Sequence, residues 1–598
     1  MKNVLKNHLY LWKLCFKTCP GYMLYTIFDA FRYEFMIFLE HTLGIRYVLH
    51  CVEYHEPVYK ALIFVGIIAV LMFILMIFDG YYAHTWHFTS KPKLYRALKD
   101  QMFEKASKLD LNCYDDPDYY NEFVLAVSES ENSIERFLTT LKNAVQCITA
   151  ISSMGIFYLL VDWKGIIFVL VSFVLRFLLS KRLNKVNYDV RMEVNSKERK
   201  RNYVSRIFYL KDYAKELRMH HGVGRYLEEE FVEANKEMVA INKKASGKRT
   251  WLRFARVYLV GDFITDVLYI IYLIYSAAVL HTVDYSSAVV LFNNLGSLRG
   301  SMNMLADLFS QTHENSLYID KIRAFLAYEP KLEIEEGKMV PSGIGGLSLK
   351  NVSFRYREDM PNTLNNITLD VKPGEHVAIV GYNGAGKTTL IKLLTRLYDP
   401  TEGSIEYHGE KIAEYLPSDY RRRFGVVFQD FQLYGAKLSE NVVMDDYSDD
   451  ELKAAEKNIR NSLERAGFAE RLEKLNDGLM TSVTTEFDEK GTDFSGGEGQ
   501  KIAISRAFYK DADILIMDEP SSALDPIAEY ELNKAMEEAA EGKTVFYISH
   551  RLSTTRNADR IIMLEKGRII EEGSHEDLLA LNGKYAEMWQ VQASNYRE

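Results

Sequence analysis

Eighteen consecutive residues from Ala61 to Phe78 (ALIFVGIIAVLMFILMIF) carry no charged or strongly polar side chain. As a helix this run is long enough to cross a hydrocarbon layer of ~30 Å. Its lack of a polar face separates it from the helices of soluble domains. Weaker apolar windows occur at 21–43, 143–161, 165–180 and 255–281. A sixth, at 286–310, is interrupted by Asn293, Asn294, Arg299, Asn303 and Asp307. The pattern predicts six membrane spans, at 21–43, 58–79, 143–161, 165–180, 255–281 and 286–310, within a domain covering 1–327. The connections at about 80–142 and 181–254 are long, polar and helix-patterned, and are expected to extend the spans as helices.

From Tyr328 to Gly346 the chain becomes a polar linker containing Gly and Pro (YEPKLEIEEGKMVPSGIGG). Over 347–598 short β-rich runs then alternate with helix-like stretches: LSLKNVSFRY, HVAIV, FGVVF, ILIMD, TVFYIS and RIIML. This alternation predicts an α/β domain on a largely parallel sheet.

Charge supplies an orientation. The short connections near 44–57, 162–164 and 282–285 carry only Arg46 and Lys164 as Lys or Arg, whereas the opposite side carries Lys91, Lys93, Arg96, Lys99 and the run Lys197-Glu198-Arg199-Lys200-Arg201. Basic residues mark the cytoplasmic face, so both termini are expected inside, at the plasma membrane. The N-terminus (MKNVLK) lacks the apolar stretch of a signal peptide and reads as a basic amphipathic entry helix. With 73 basic and 82 acidic residues the net charge of −9 argues against broad nucleic-acid binding. Mean hydropathy is −0.16, an average over two unlike halves. The five cysteines lie in the first quarter without a CxxC pair, which argues against a disulfide scaffold or zinc ribbon. His41, His50, Cys51, Glu53 and His55 fall in one outer loop, but their spacing matches no established metal site.

The chemistry lies in the second half. Gly381-Tyr-Asn383-Gly384-Ala385-Gly386-Lys387-Thr388, followed by Thr389, fits GxxxxGK[ST] directly after the strand His376–Val380. Glycines there let backbone N–H groups turn toward phosphate, and the helix that follows adds its positive end. Lys387 is expected on the β- and γ-phosphates of ATP and the Thr388 hydroxyl on Mg²⁺. A second apolar strand ends in acid, Ile514-Leu-Ile-Met-Asp518-Glu519. Asp518 is placed to hold the Mg²⁺ shell and Glu519 to polarise attacking water.

Between them, Phe494-Ser495-Gly496-Gly497-Glu498-Gly499-Gln500 resembles the signature sequence of ATP-binding cassette (ABC) proteins, usually LSGGQ. The order of other segments is similar too. Tyr356 falls at the adenine-stacking position and Gln429 in VVFQD at the Q-loop. Ser522-Ala523-Leu524-Asp525 resembles the D-loop, His550 in YISHR the switch histidine, and Glu489-Lys490-Gly491 the exporter X-loop. Asp116–Tyr120 and Tyr213–Arg218 resemble exporter coupling-helix regions. The resemblance extends over the whole chain to the half-transporter type of ABC exporter, as in bacterial multidrug, peptide and lipid export.

That resemblance implies an all-α six-helix transmembrane domain with long cytoplasmic extensions, followed by an α/β P-loop nucleotide-binding domain. It implies cassettes working as a homo- or heterodimer, with ATP between Lys387 and its neighbours on one subunit and Ser495, Gly496 and Gly497 of the other. Glu519 is then the general base and His550 positions the γ-phosphate. Gln429 senses nucleotide and contributes to the Mg²⁺ site, and Asp525 borders the nucleotide. The cargo would be a small molecule, peptide or lipid moving through surrounding membrane lipid, with no nucleic-acid partner; an importer on the same scaffold and an ATP-regulated channel or sensor are the alternatives. Phe494 and Glu498 depart from the usual signature, the latter adding negative charge near triphosphate. Charges inside the spans include Asp29, Arg32, Glu34, Asp262, Asp266 and Arg299, which either pair internally or border a route near Tyr258, Tyr269, Tyr272 and Tyr275.

Overall fold

The computed structural model describes the chain except residues 1, 211–212, 333–335, 446, 521–525, 549–554 and 595–598. Two compact units emerge. One holds Met1–Lys105 and Glu122–Tyr328; the other holds Ala106–Asn121 and Glu329–Glu598.

The first unit is helical. α1 (Lys2–Thr18) is followed by α2 (Pro20–Ile37), a π-helical stretch over Phe38–Gly44 and α3 (Ile45–Glu53). α4 (Val58–Ala106) is one continuous helix. Short α5 (Asn112–Asp115) and α6 (Pro117–Ser128) lead into α7 (Ser130–Val161) and α8 (Gly165–Tyr209). After α9 (Ala214–Met219), α10 (His221–Phe254) passes through a π-helical segment (Ala255–Leu268) into α11 (Tyr269–Ala278), and α12 (Tyr285–Leu326) ends the unit. The long polar connections are thus helices continuous with the apolar segments.

Among the described residues, four helical stretches are long and apolar enough to cross a membrane: Pro20–Glu53, Val58–Ala106, Ser130–Val161 and Gly222–Ala278. α8 and α12, which contain the expected fourth and sixth spans, are helices whose apolar runs are interrupted by charges, Arg176 and Arg299 among them. Over the Ala61–Phe78 stretch of α4 no side chain is buried, and Leu62, Phe73 and Met76 are among the exposed ones. Such a surface suits lipid and not water.

Polar groups in this unit pair with one another. Asn7 in α1 donates to Ser316 O, Ser316 Oγ and Asp320 of α12, and its own oxygen accepts from Arg323. Asp29 holds Arg32 at 2.6 Å and Lys142 at 3.0 Å. Arg299 lies 2.6 Å from Asp266, which supports internal pairing for these two charges; the Asp262 side chain lies outside the described ones. The expected tyrosine-lined route divides. Tyr269 is fully buried and, with Tyr272, donates to the carboxylate of Asp162 at 3.2 and 2.9 Å, whereas Tyr258 and Tyr275 are exposed. Two of the four tyrosines therefore fasten the turn after α7 and do not line a path. In the outer loop, the Glu53 carboxylate accepts the backbone amides of Tyr285 and Ser286 at the start of α12.

The second unit carries two sheets. β1 (Leu347–Phe354), β2 (Leu364–Val371), β4 (Glu402–Tyr407) and β5 (Glu410–Lys411) form an antiparallel sheet in the order β2-β1-β4-β5. β3 (His376–Gly381), β6 (Phe424–Val427), β7 (Ile514–Asp518), β8 (Thr544–Ile548), β9 (Arg560–Glu565) and β10 (Arg568–Gly573) form the second, in the order β10-β9-β3-β8-β7-β6. All its pairings are parallel except that of β10. The segment LSLKNVSFRY, expected in the parallel sheet, instead builds the antiparallel one. Its exposed Lys350 and Asn351 explain why, since a strand buried on both faces of a parallel sheet has no place for them.

Helices α13 (Lys387–Leu394), α14 (Pro417–Arg422), α15 (Leu438–Val443), α16 (Asp449–Arg465), α17 (Ala469–Glu473), α18 (Gly496–Lys510) and α19 (Pro526–Ala540) intervene, and α20 (His575–Ala580) and α21 (Lys584–Ser594) close the chain. The main core lies between the sheets and α13, around Leu349, Ile367, Ile379, Leu390, Ile405 and Phe546. The described linker residues from Glu329 onward belong to this unit. Lys331 and Leu332 donate their amides to Asp110, and Val340 donates to Asp419. Residues 106–121, read as part of the membrane half, pack here too: Leu111 joins the core and Tyr398 donates to Asp115.

At the end of the chain, buried His575 meets the Tyr585 hydroxyl at 2.8 Å and the Trp589 ring edge-on at 4.4 Å. Burial disfavours the imidazolium and holds its pKa below the ordinary histidine value, an effect Glu576 opposes and Arg556 reinforces. On acidification the unfolded chain therefore takes its proton first, and stability is lost as pH falls through about 6.5. Urea unfolding followed at Trp589 is expected to show this slope, and a His575→Asn variant to flatten it.

Candidate nucleotide site

β3 enters the P-loop through Gly381, at φ +153°. Gly384 (φ +79°) and Gly386 (φ +106°) turn the chain, and Gly386 caps α13. A Cβ on Gly386 would lie 2.7 Å from Leu364 Cδ2, so the loop closes against β2. Asn383 is exposed at the loop's crest and Ala385 is buried beneath it. Lys387 folds back, its Nζ donating to the carbonyls of Gly381 at 2.8 Å and Tyr382 at 3.3 Å. Burial lowers its pKa, an effect the negative charges of Glu519 and Asp518 oppose.

In the second sheet β8 separates β3 from β7, and Asp518 is in register with Ile548. The P-loop and the acidic pair thus leave the carboxyl ends of two parallel strands that flank β8, where ligands bind in open α/β sheets. Asp518 is buried, and its pKa is pushed up to about 6. Desolvation is the largest cause and the Glu519 charge adds to it, while Lys387 and the hydroxyl of Thr388 pull the other way. Its Oδ2 is buried without a hydrogen-bond partner among the described residues. Glu519 sits at φ +51°, a left-handed conformation that costs a non-glycine residue about 1 kcal/mol or more and is concentrated at functional sites. Its amide donates to Ile548 O at 2.9 Å. Its carboxylate accepts from Gln429 Nε2 at 3.0 Å, and its carbonyl from buried Gln500 Nε2 at 3.3 Å.

These residues suit a divalent cation. A buried carboxylate oxygen without a donor, beside a hydroxyl on an exposed residue and a cationic loop, is a hard-oxygen site that gains from added positive charge. Thr388 and Asp518 would hold Mg²⁺, with Gln429 at the edge.

Tyr356 lies after β1. Its hydroxyl is 3.0 Å from Thr389 Oγ1, its ring meets Tyr398 edge-on at 5.4 Å, and Lys392 Nζ lies 5.4 Å from the ring centre. The structure therefore brings together Tyr356, Gly381–Thr389, Gln429, Asp518 and Glu519. Asp525 and His550 lie outside the described residues.

The signature begins a different helix. Ser495 caps α18 and accepts from Glu498 N at 3.4 Å, while Glu498 accepts from Ser495 N at 2.8 Å, a capping box. Glu498 also lies 2.7 Å from Arg471 Nε. Burial alone would raise its pKa, but the Ser495 hydrogen bonds and the Arg471 charge together hold it below the usual carboxylate value. The substitution from Gln thus brings a charge that the chain itself offsets. Phe494 packs edge-on against Phe468 at 5.7 Å beside Arg471. Neither Arg471 nor the contact of Gln500 was identifiable from a motif, because each acts on a residue distant in sequence. In a double-mutant cycle, Arg471→Gln and Glu498→Gln are expected to couple by about 0.5–1 kcal/mol in cassette stability. Additive effects would show that the contact carries no energy.

Comparison with known proteins matches this geometry. The ABC transporter family model matches residues 364–522, from β2 through the acidic pair. An "ATP-dependent lipid A-core flippase" of Ralstonia nicotianae is 41% identical over 256 residues, 43% of this chain and 42% of that protein. A "Leukotoxin translocation ATP-binding protein LktB" of Mannheimia haemolytica is 37% identical over 311 residues, 51% of this chain and 42% of that one. The chain thus spans less than half the length of these curated relatives. The solved structure of a bacterial Atm1-family ABC exporter with ATP bound superposes with a TM-score of 0.77 at 23% identity, covering 96% of this chain and 99% of that one. Residues 364–522 thus carry the match to the ABC transporter family, and over nearly its whole length the chain has the fold of that solved exporter.

Proposed function

We propose that the protein is an ATP-driven exporter of amphipathic cargo (drug, peptide or lipid), working at the plasma membrane as a dimer of half-transporters with its cassettes and termini cytoplasmic. The single observation that carries this reading is the convergence of Lys387, Asp518, Glu519 and Gln429 at the end of the parallel sheet, on a chain that also holds apolar helices of membrane length. Lys387, held on the P-loop carbonyls, is placed to move onto a triphosphate. Glu519, oriented by Gln429 and Gln500, accepts the proton of the attacking water. His550 and Asp525 complete the site by resemblance. Bound Mg²⁺ would supply charge neutralisation at the phosphates.

One chain has one P-loop and one signature, on separate helices. A second copy or a related half-transporter supplies Ser495, Gly496 and Gly497 across the nucleotide, and two sites result. Six spans are assigned, with α8 and α12 crossing as part of a helical assembly that buries Arg176 and pairs Arg299 with Asp266.

The test is transport direction. Inverted membrane vesicles containing the protein are expected to accumulate an ATPase-stimulating amphipathic dye when given ATP. ATP-dependent loss of preloaded dye would point to an importer, and ion current uncoupled from turnover to a channel.

A further inference from the structure

Two stretches of this chain concentrate positive charge without any acid. Lys181, Arg182 and Lys185 directly follow the apolar 165–180 part of α8. Lys243, Lys244, Lys248, Arg249, Arg253 and Arg256 directly precede the apolar stretch running on to Ala278. Neither 181–185 nor 243–256 contains Asp or Glu, and among the described residues none of these nine cations enters an ion pair.

The fold puts the two stretches side by side. α8 and α10 pack against each other and leave a groove of about 920 Å³, lined by Leu183 and Asn187 on one side and Asn242, Lys243, Arg249 and Arg253 on the other. Arg249 is held in this groove by neutral acceptors. Its Nε donates to Asn187 Oδ1 at 2.8 Å and its Nη1 to Asn242 Oδ1 at 2.9 Å. Two amide oxygens fix the guanidinium without cancelling its charge, leaving its other N–H donors for an oxyanion. Beside the groove, Val174 and Leu178 on α8 and Tyr258 and Leu259 beyond α10 are exposed, and Trp251 is 64% exposed among the cations. An apolar face, an interfacial aromatic and a basic groove thus follow one another along the same two helices.

We propose that this groove binds the phosphate-bearing headgroup of an anionic phospholipid of the cytoplasmic leaflet, with its acyl chains along the exposed faces of α8 and the Ala255–Ala278 stretch. A free phosphate would meet the same cations but make no use of the apolar faces. The site deepens the exporter reading and rests on α8 and the continuation of α10 crossing the membrane. Each cation near an anionic headgroup contributes about fivefold in affinity at low salt.

The experiment uses the full-length protein in non-ionic detergent with pyrene-labelled phosphatidylglycerol or phosphatidylcholine, reading energy transfer from Trp251. Phosphatidylglycerol is expected to bind more tightly than phosphatidylcholine, and excess inorganic phosphate to displace it weakly. The Lys243→Gln, Arg249→Gln, Arg253→Gln triple variant is expected to lose roughly a hundredfold in affinity for phosphatidylglycerol alone. Arg249→Lys keeps the charge but loses the fork, and is expected to lose less; it carries the test if the triple variant does not fold. Equal binding of the two lipids, unchanged binding in the variants, or full displacement by inorganic phosphate would overturn the proposal. ATP turnover measured on the same samples separates the readings: selective lipid binding without turnover leaves this site standing while the exporter reading fails.

Discussion

Replacing Glu519 with Gln is expected to lower ATP turnover by roughly 10²–10⁴-fold while nucleotide still binds at least as tightly as in the parent. The two effects separate because the side chain does two things. As a carboxylate it is placed to accept a proton, which the isosteric amide cannot do. As a negative charge it sits beside buried Asp518 and helps push that carboxyl up to about 6. Removing the charge makes Asp518 easier to ionise, so cation and nucleotide lose nothing from the change. The geometry should survive, because the two hydrogen bonds fixing the 519 backbone use its amide and carbonyl, and an amide oxygen still accepts from Gln429. Phosphate release and fluorescent-nucleotide titration on the same sample measure both quantities. Turnover at the parental rate would remove Glu519 from the role of base.

Gly381→Ala is expected to destabilise the nucleotide-binding unit by roughly 3–5 kcal/mol, more than any other single methyl added to the P-loop. Two costs coincide there. The backbone is at φ +153°, and a Cβ would drive into the carbonyl oxygen of Leu564 on β9 while crowding Ala385 Cβ at 3.2 Å. Neither neighbour can retreat, since Leu564 pairs with Gly381 in the sheet and Ala385 is tied to Gly567 N at 3.0 Å. Gly384→Ala is the matched control. It shares positive φ (+79°), but a Cβ there meets nothing within 4 Å, so only the conformational cost of about 1–2 kcal/mol remains. Thermal unfolding of the two variants decides between the causes. Equal losses would mean that backbone conformation alone sets the glycine requirement and that the contact with β9 is irrelevant.

These expectations draw unequally on sequence and structure. The P-loop, the acid-ended strand and the signature were legible because each compresses its chemistry into fewer than ten consecutive residues. The apolar run at Ala61–Phe78 was legible because a membrane span is a local property of composition and length. The β-rich runs beginning at 376, 424, 514, 544 and 560 supplied the parallel strands β3, β6, β7, β8 and β9 of one sheet. Tyr269 and Tyr272 were identified as notable, but their partner Asp162 lies more than a hundred residues away, and no pattern in either stretch announces the pairing. The same holds for Arg471 with Glu498, where a charge that reads as a defect in the signature is balanced from α17.

The amino-acid order alone determined that this chain has a helical, partly apolar first half and a phosphate-binding α/β second half, since periodicity, capping and glycine placement act within a few residues. Tertiary structure decided which sheet β1 joins, that 106–121 and the described linker residues from Glu329 onward pack with the cassette, that Glu498 is neutralised, and that cations of α10 line a groove against α8. Those outcomes depend on packing and charge between groups far apart in the chain, and such energies exist only once the fold has brought the groups together.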